Sequence, residues 1–60
     1  MNEARLLNVK QLSSYLSTPV STIYTMVSRG RIPGVVRLGR ALRFDRTEID
    51  RWVEGLRDAA

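Results

Sequence analysis

The side chains in this sequence that could do chemistry are short hydroxyls and arginines, and they form two groups. The first group falls within residues 21–29 and comprises Ser21, Thr22, Thr25, Ser28 and Arg29. The second falls within residues 37–43 and comprises Arg37, Arg40 and Arg43. Hydroxyl and guanidinium groups form hydrogen bonds with base edges and phosphate oxygens, and the planar guanidinium can bind a phosphate through two donors. These residue types in two clusters predict contact with a nucleic acid.

The composition argues against catalysis. The 60 residues include no histidine and no cysteine, which removes the usual general base, the thiol nucleophile and the commonest ligands of a metal ion. There is no glycine-rich phosphate loop, and Glu3 is the one acidic residue before Asp45. We therefore expect a protein that is not an enzyme and that holds no metal and no cofactor.

Charge is distributed unevenly along the chain. The formal net charge is +4 and the isoelectric point is near 10.7. Residues 4–44 contain no acidic side chain, and the acids then follow as Asp45, Glu48, Asp50, Glu54 and Asp58. A long stretch of one sign is typical of a protein that binds a polyanion, most often a nucleic acid. The alternative is a basic surface that only keeps the protein in solution.

Length and hydropathy indicate one small domain, which we place at residues 1–60. No apolar run approaches the roughly 18 residues of a membrane span, and residues 1–7 lack the apolar stretch of a signal peptide. We expect a cytoplasmic protein that does not contact a membrane.

Two helices with a short connection should carry the hydroxyl group. Asn8 and Gln11 have the spacing of a capping box, which predicts a first helix over residues 9–16. Only Ser17 and Thr18 separate it from the next helical segment, and so short a connection is typical of a helix-turn-helix.

The second helix should begin at Pro19, with Thr18 as its cap, and end near Arg29, where Gly30 supplies a left-handed residue. Its apolar residues share one third of the helical wheel and should pack in the core: Val20, Ile23, Tyr24 and Val27. The hydroxyls and Arg29 share the opposite face, where short side chains and no acid suit a helix that enters the major groove. The alternative is that these hydroxyls simply solvate an outer face.

Residues 35–44 predict two short strands folded about Gly39. Pairing like side chains across the strands places Arg37 opposite Arg43 and needs a three-residue loop, because a two-residue loop would pair Arg37 with Leu42. Facing arginines repel each other unless a phosphate lies beside them. This register therefore favours a basic wing on DNA, and the alternative is an arginine-rich edge that prevents aggregation.

A third helix should follow a second capping box at Asp45 and Glu48, with Phe44 and Ile49 as a hydrophobic staple. Its predicted apolar face comprises Ile49, Trp52, Val53 and Leu56. The predicted fold is mainly α with a small β-hairpin: a winged helix-turn-helix in the order helix 1, helix 2, two-stranded wing, helix 3.

Four segments, in this order and spacing, resemble the excisionase family of MerR-like winged helices: Leu6–Leu16, Pro19–Tyr24, Arg37–Phe44 and Glu48–Val53. The resemblance implies a recognition helix in the major groove and a wing over the adjacent minor groove or backbone. The chain departs from the family at Ser17, where glycine is common, and at Val20 and Thr25, where many relatives carry arginine.

The resemblance further implies a phage or mobile-element excisionase, an architectural protein in DNA recombination that bends attachment-site DNA for a recombinase (an integrase). A lone module of this size buries only about 600–1,000 Å² on DNA, which favours neighbouring copies on the same duplex. No long dimerisation helix is evident, so we expect a monomer in free solution. A small transcription regulator of the same fold stays an alternative. A protein adaptor for a recombinase or repressor is less favoured, because we expect no exposed apolar anchors.

Overall fold

Three helices and three short strands make up residues 5–59, the part of the chain that the computed structural model describes, without the side chain of Ala59. In chain order they are β1 (Leu6–Leu7), α1 (Val9–Leu16), α2 (Val20–Ser28), β2 (Val35–Leu38), β3 (Ala41–Asp45) and α3 (Arg46–Ala59). The predicted winged helix-turn-helix, mainly helical with a β wing, is confirmed. Glu3 and both ends of the predicted domain 1–60 lie outside the described residues.

The strand β1 was not predicted from the sequence. It pairs antiparallel with β3, so that β3 lies in the middle of a three-stranded sheet in the order β1-β3-β2. Two residues are too few to show the alternation that identifies a strand. Their pairing depends on β3, a segment almost forty residues away in the sequence.

The predicted capping box of α1 is confirmed. The Oδ1 atom of Asn8 accepts a hydrogen bond from the N–H of Gln11 at 2.7 Å, and Oε1 of Gln11 accepts one from the N–H of Asn8 at 2.9 Å. Both donors belong to the first turn, where no intrahelical acceptor exists, so the box fixes where α1 begins.

The corner between α1 and α2 depends on a left-handed serine. Ser17 has φ +51°, and the following N–H, that of Thr18, donates to the carbonyl of Ser13 at 2.9 Å. The predicted role of Thr18 as the cap of α2 is wrong. Its hydroxyl donates to the carbonyl of Leu16 at 3.0 Å, and Pro19 occupies the N-cap position without a side-chain cap. The Thr18 hydroxyl thus satisfies an acceptor at the end of α1 instead of a donor at the start of α2.

The core is formed by seven buried apolar side chains: Leu7, Val9, Leu12, Ile23, Ile32, Phe44 and Ile49. Phe44 and Ile49, the predicted staple of α3, are both fully buried. The apolar faces predicted for the helices were too wide. Tyr24 is 55% exposed and Leu56 is 55% exposed, and Val20 and Val53 also reach solvent. In so small a domain each helix has few neighbours to cover it, so the buried stripe is narrower than the apolar one.

The predicted register of the wing is wrong. The strands β2 and β3 pair Val36 with Arg43 and Arg37 with Leu42, around a two-residue turn. Gly39 has φ +61°, and a glycine at the first position of a two-residue turn matches the right-handed twist of the strands. This local geometry decides the register over the matching of like side chains, and it separates Arg37 from Arg43.

Only half of the second predicted capping box forms. The Oδ1 atom of Asp45 accepts a hydrogen bond from the N–H of Glu48 at 3.2 Å, which caps α3. The backbone N–H of Asp45 donates to the carbonyl of Gly34 at 2.8 Å. That donor is therefore not available to the Glu48 side chain, and the reciprocal half of the box is replaced by a tertiary contact.

Candidate nucleic-acid interface

The hydroxyl face of α2 is exposed as predicted. Ser21, Thr22, Thr25, Ser28 and Arg29 are all accessible to solvent, and α2 contains no acidic residue. The Thr25 hydroxyl donates to the carbonyl of Ser21 at 3.0 Å. Because its proton is engaged, Thr25 presents a lone pair and a methyl group outward, which suit a base amino group or the thymine methyl.

The wing arginines differ in their freedom. Arg37 and Arg40 are exposed, whereas Arg43 is half-buried. The Nη1 atom of Arg43 donates to the carbonyl of Leu42 at 2.8 Å. The strand β1 pairs with Phe44 and Asp45 of β3, so it leaves the Leu42 carbonyl accessible to Arg43. Arg43 is thus oriented by the main chain, while Arg40 projects from the turn.

An open groove of about 600 Å³ lies between α2, the wing and the start of α1. We call it the basic groove, and its polar lining consists chiefly of Lys10, Tyr24, Ser28, Arg37, Arg40 and Arg43. It brings Ser28 together with all three wing arginines. The other four predicted residues of α2 do not line it and lie on the rest of the exposed face.

Two residues of the basic groove were missed by the sequence reasoning. Lys10 is one of the cations of the acid-free stretch but was not predicted as a site residue, and Tyr24 was predicted to lie in the core. A signal for Tyr24 existed, since it stands four residues before Ser28 and therefore shares a helical stripe with a polar residue. For Lys10 the sequence held no such signal, because its neighbours in the groove come from α2 and the wing.

The electrostatics of the basic groove favour an anion. Four cationic side chains line it and no acidic side chain does. Like charges gathered around one concave surface repel each other and raise the local positive potential. A polyanion in the groove places negative charge beside these cations, so the electrostatic interaction in the groove becomes attractive.

The acidic side chains of the described residues are engaged or exposed elsewhere. Arg5 contacts the Oδ2 atom of Asp45 at 3.3 Å through both Nε and Nη2. The backbone hydrogen bond from Glu48, with the Arg5 charge, holds the pKa of Asp45 below its usual value.

On α3, Glu54 pairs with Arg57 at 3.8 Å, and Asp50 accepts a hydrogen bond from the Tyr15 hydroxyl. The acids therefore do not neutralise the basic groove.

Within residues 5–59 there is no cluster of three or more histidine, cysteine, aspartate or glutamate residues that could hold a metal ion. Over the same stretch, no helix has the length and hydropathy that a membrane span requires.

Comparison of the sequence with known proteins and families identifies a family for this chain. Searches of curated proteins and of solved structures give no significant match. A family model described as a helix-turn-helix domain matches residues 6–57, which include both helices of the corner, the wing and most of α3. This match supports DNA as the binding partner. The chain belongs to the helix-turn-helix domain family.

Proposed function

We propose that this chain binds double-stranded DNA as an excisionase-type architectural factor, which bends attachment-site DNA for a phage or mobile-element recombinase. In this proposal α2 enters the major groove, and the wing follows the adjacent backbone or minor groove. The observation that carries the proposal is the basic groove, which joins the C-terminal part of α2 to three wing arginines with no acid among its lining residues. The activity is binding alone, without catalysis, metal or cofactor.

The two parts of the surface have different tasks. The short side chains of α2 allow its backbone to approach the base edges, and Arg29 at its end can bind guanine through two donors. Phosphate contacts from Arg37, Arg40 and Arg43 fix the position of the module but carry no base information. Specificity is thus assigned to α2 and the salt-dependent part of the affinity to the wing.

The dimensions of the described chain support an architectural role. Its principal extents are 35 × 31 × 17 Å, so its longest dimension is about one turn of B-DNA, roughly 34–36 Å. A single footprint of this size gives limited discrimination, and affinity then depends on neighbouring copies or on a protein already bound to DNA. We propose that the free protein is a monomer and that copies assemble side by side on the duplex.

An exposed apolar pair supports contact with a protein partner as well. Val53 and Leu56 lie one turn apart on α3 and are 36% and 55% exposed, contrary to the expectation that apolar anchors are absent. The two side chains are neighbours on the helix surface, so they are available together to a protein partner. We assign this surface to the recombinase partner. A transcription regulator that acts through DNA alone does not need such a surface.

The proposal is tested in two steps. Duplexes that bind the protein are selected from a random pool, and the selected site is then placed at successive positions along otherwise identical fragments. A bend makes electrophoretic mobility depend on the position of the site. Binding without a position effect would leave a regulator of the same fold, and failure to enrich any duplex would favour the protein adaptor. The encoding locus gives an independent check, since a neighbouring integrase gene is expected.

A further inference from the structure

Tyr24 lies in the basic groove, although the sequence places it on the apolar side of α2. Its side chain is 55% exposed, and within residues 5–59 its hydroxyl has no hydrogen-bond partner. Lys10, at the start of α1, lines the same groove, and the ammonium group has no acidic partner in the described part of the chain. Within the described residues, a hydroxyl without a hydrogen-bond partner and an ammonium group without an acidic partner thus face a surface that already concentrates positive charge.

We infer that Tyr24 and Lys10 bind the phosphodiester backbone of one strand of duplex DNA, which lies in the basic groove beside Arg37 and Arg40. This inference rests on the proposed DNA binding. The Tyr24 hydroxyl is a neutral donor to a phosphate oxygen, Lys10 supplies a point charge, and an arginine supplies a planar pair of donors. The three kinds of donor converge on one groove from α2, α1 and the wing.

The chemistry of the groove favours a phosphate backbone over stacked bases. Proteins that bind single strands by stacking present several aromatic rings along a basic path. Tyr24 is the one aromatic residue among those that line the basic groove. The other polar residues of the lining are four cations, Ser28 and Asn8, whose donor groups suit phosphate oxygens.

The contact gives α1 a direct role in the interface. Because phosphate contacts set the orientation of a protein on the duplex, Lys10 would fix the angle at which α2 meets the major groove. The Asn8 capping box begins α1 just before Lys10 and therefore positions it.

The inference is tested with duplex DNA of arbitrary sequence, since phosphate contacts are common to all sequences. Lys10→Gln should lower the slope of log affinity against log salt by about 0.9, the value for one neutralised phosphate. Tyr24→Phe should weaken binding about ten-fold with an unchanged slope, because a neutral donor to a charged acceptor is lost. The matched controls are Arg51→Gln, an exposed cation of α3 outside the groove, and Tyr15→Phe, an exposed tyrosine outside it whose hydroxyl is engaged by Asp50. Thermal unfolding of each variant establishes that it is folded.

The possible outcomes separate the two levels of the argument. Absence of duplex binding by the unmodified protein would overturn the proposed function. Normal binding by that protein, with both groove variants indistinguishable from their controls, would overturn this inference alone. A second measurement needs no variant: duplex DNA should protect Tyr24 from nitration by tetranitromethane more than Tyr15, which is comparably exposed. Equal protection of the two tyrosines would also overturn the inference.

Discussion

Arg37 lies directly opposite Leu42 across the wing, on the same face of the hairpin. Leu42 packs against the core and lines the basic groove, so its partner Arg37 is carried toward α2. Arg43 lies opposite Val36, so it leaves the strand on the other face, although its side chain also lines the groove. The two arginines therefore do not form a repelling cross-strand pair, and each has its own position in the interface.

Wing and helix substitutions should have different effects on specificity. Arg40→Ala should weaken binding to all duplexes by a similar factor and lower the salt slope by about 0.9, since we propose that Arg40 contacts phosphate. Arg29→Ala should instead narrow the gap between the selected site and other DNA, with about 1–3 kcal/mol lost at the site. Fluorescence anisotropy on both duplexes measures the two quantities. Equal losses on both duplexes for both variants would contradict the division of roles between α2 and the wing.

Ser17→Gly should stabilise the fold by about 0.5–1 kcal/mol. Ser17 has φ +51°, a left-handed conformation that costs a residue with a Cβ atom roughly this much relative to glycine. Thermal unfolding should show a rise of several degrees in Tm for a domain of this size.

The matched control is Gly30→Ala, at the end of α2. Gly30 has φ +63° and no atom within 4 Å of the position of an added Cβ, so alanine should destabilise the fold through the backbone alone. An unchanged or lowered stability of Ser17→Gly, with the expected loss in Gly30→Ala, would show that the Ser17 side chain stabilises the corner.

Stability should fall in acid in a way that depends on Asp45. The hydrogen bond from Glu48 and the charge of Arg5 lower the pKa of Asp45 in the folded state. A carboxyl group with a lowered folded pKa stabilises the fold above its unfolded pKa, near 3.8, and loses that effect as the pH falls through the folded value. Urea unfolding of the parent protein from pH 6 down to pH 2 should show this loss.

Asp45→Asn should remove part of that acid-dependent loss, since asparagine still caps a helix but carries no charge. Asp58→Asn, at an exposed position of α3, is the control and should follow the parent protein. The assignment to Asp45 fails if Asp45→Asn shows the same change of stability with pH as the parent.

Neighbouring copies should bind DNA with modest, salt-sensitive cooperativity. The wing tip of one copy, with Arg40, can meet the exposed acids of α3 on the next, and rim pairs of this kind contribute about 0.2–1 kcal/mol each. Glu48→Gln with Glu54→Gln should reduce cooperativity on an array of sites, measured by footprinting during titration. Asp50 is left unchanged because it accepts the Tyr15 hydrogen bond. Independent filling of sites by the parent protein would show that the acids of α3 only solvate the module.

The sequence by itself determined the order of the elements and the two clusters of candidate side chains. The bounds of α1, the left-handed Gly30 and the Asp45 cap depend on interactions between residues two to five positions apart. Interactions over such distances are visible as spacing in the sequence. The acid-free stretch is likewise a property of composition, and it survives as the acid-free lining of the basic groove.

Tertiary structure alone decided which of these residues meet. Four features depend on segments that are distant in the chain: the strand β1, the Gly34 acceptor for Asp45, the exposure of Tyr24 and the approach of Lys10 to the wing. The wing register is set locally, by the two-residue turn that begins at Gly39. The matching of like side chains in the sequence nevertheless predicted a different register. An apolar stripe indicates which residues prefer burial, but the neighbouring elements decide how much of the stripe is covered. In this small domain they leave Tyr24 exposed in the groove.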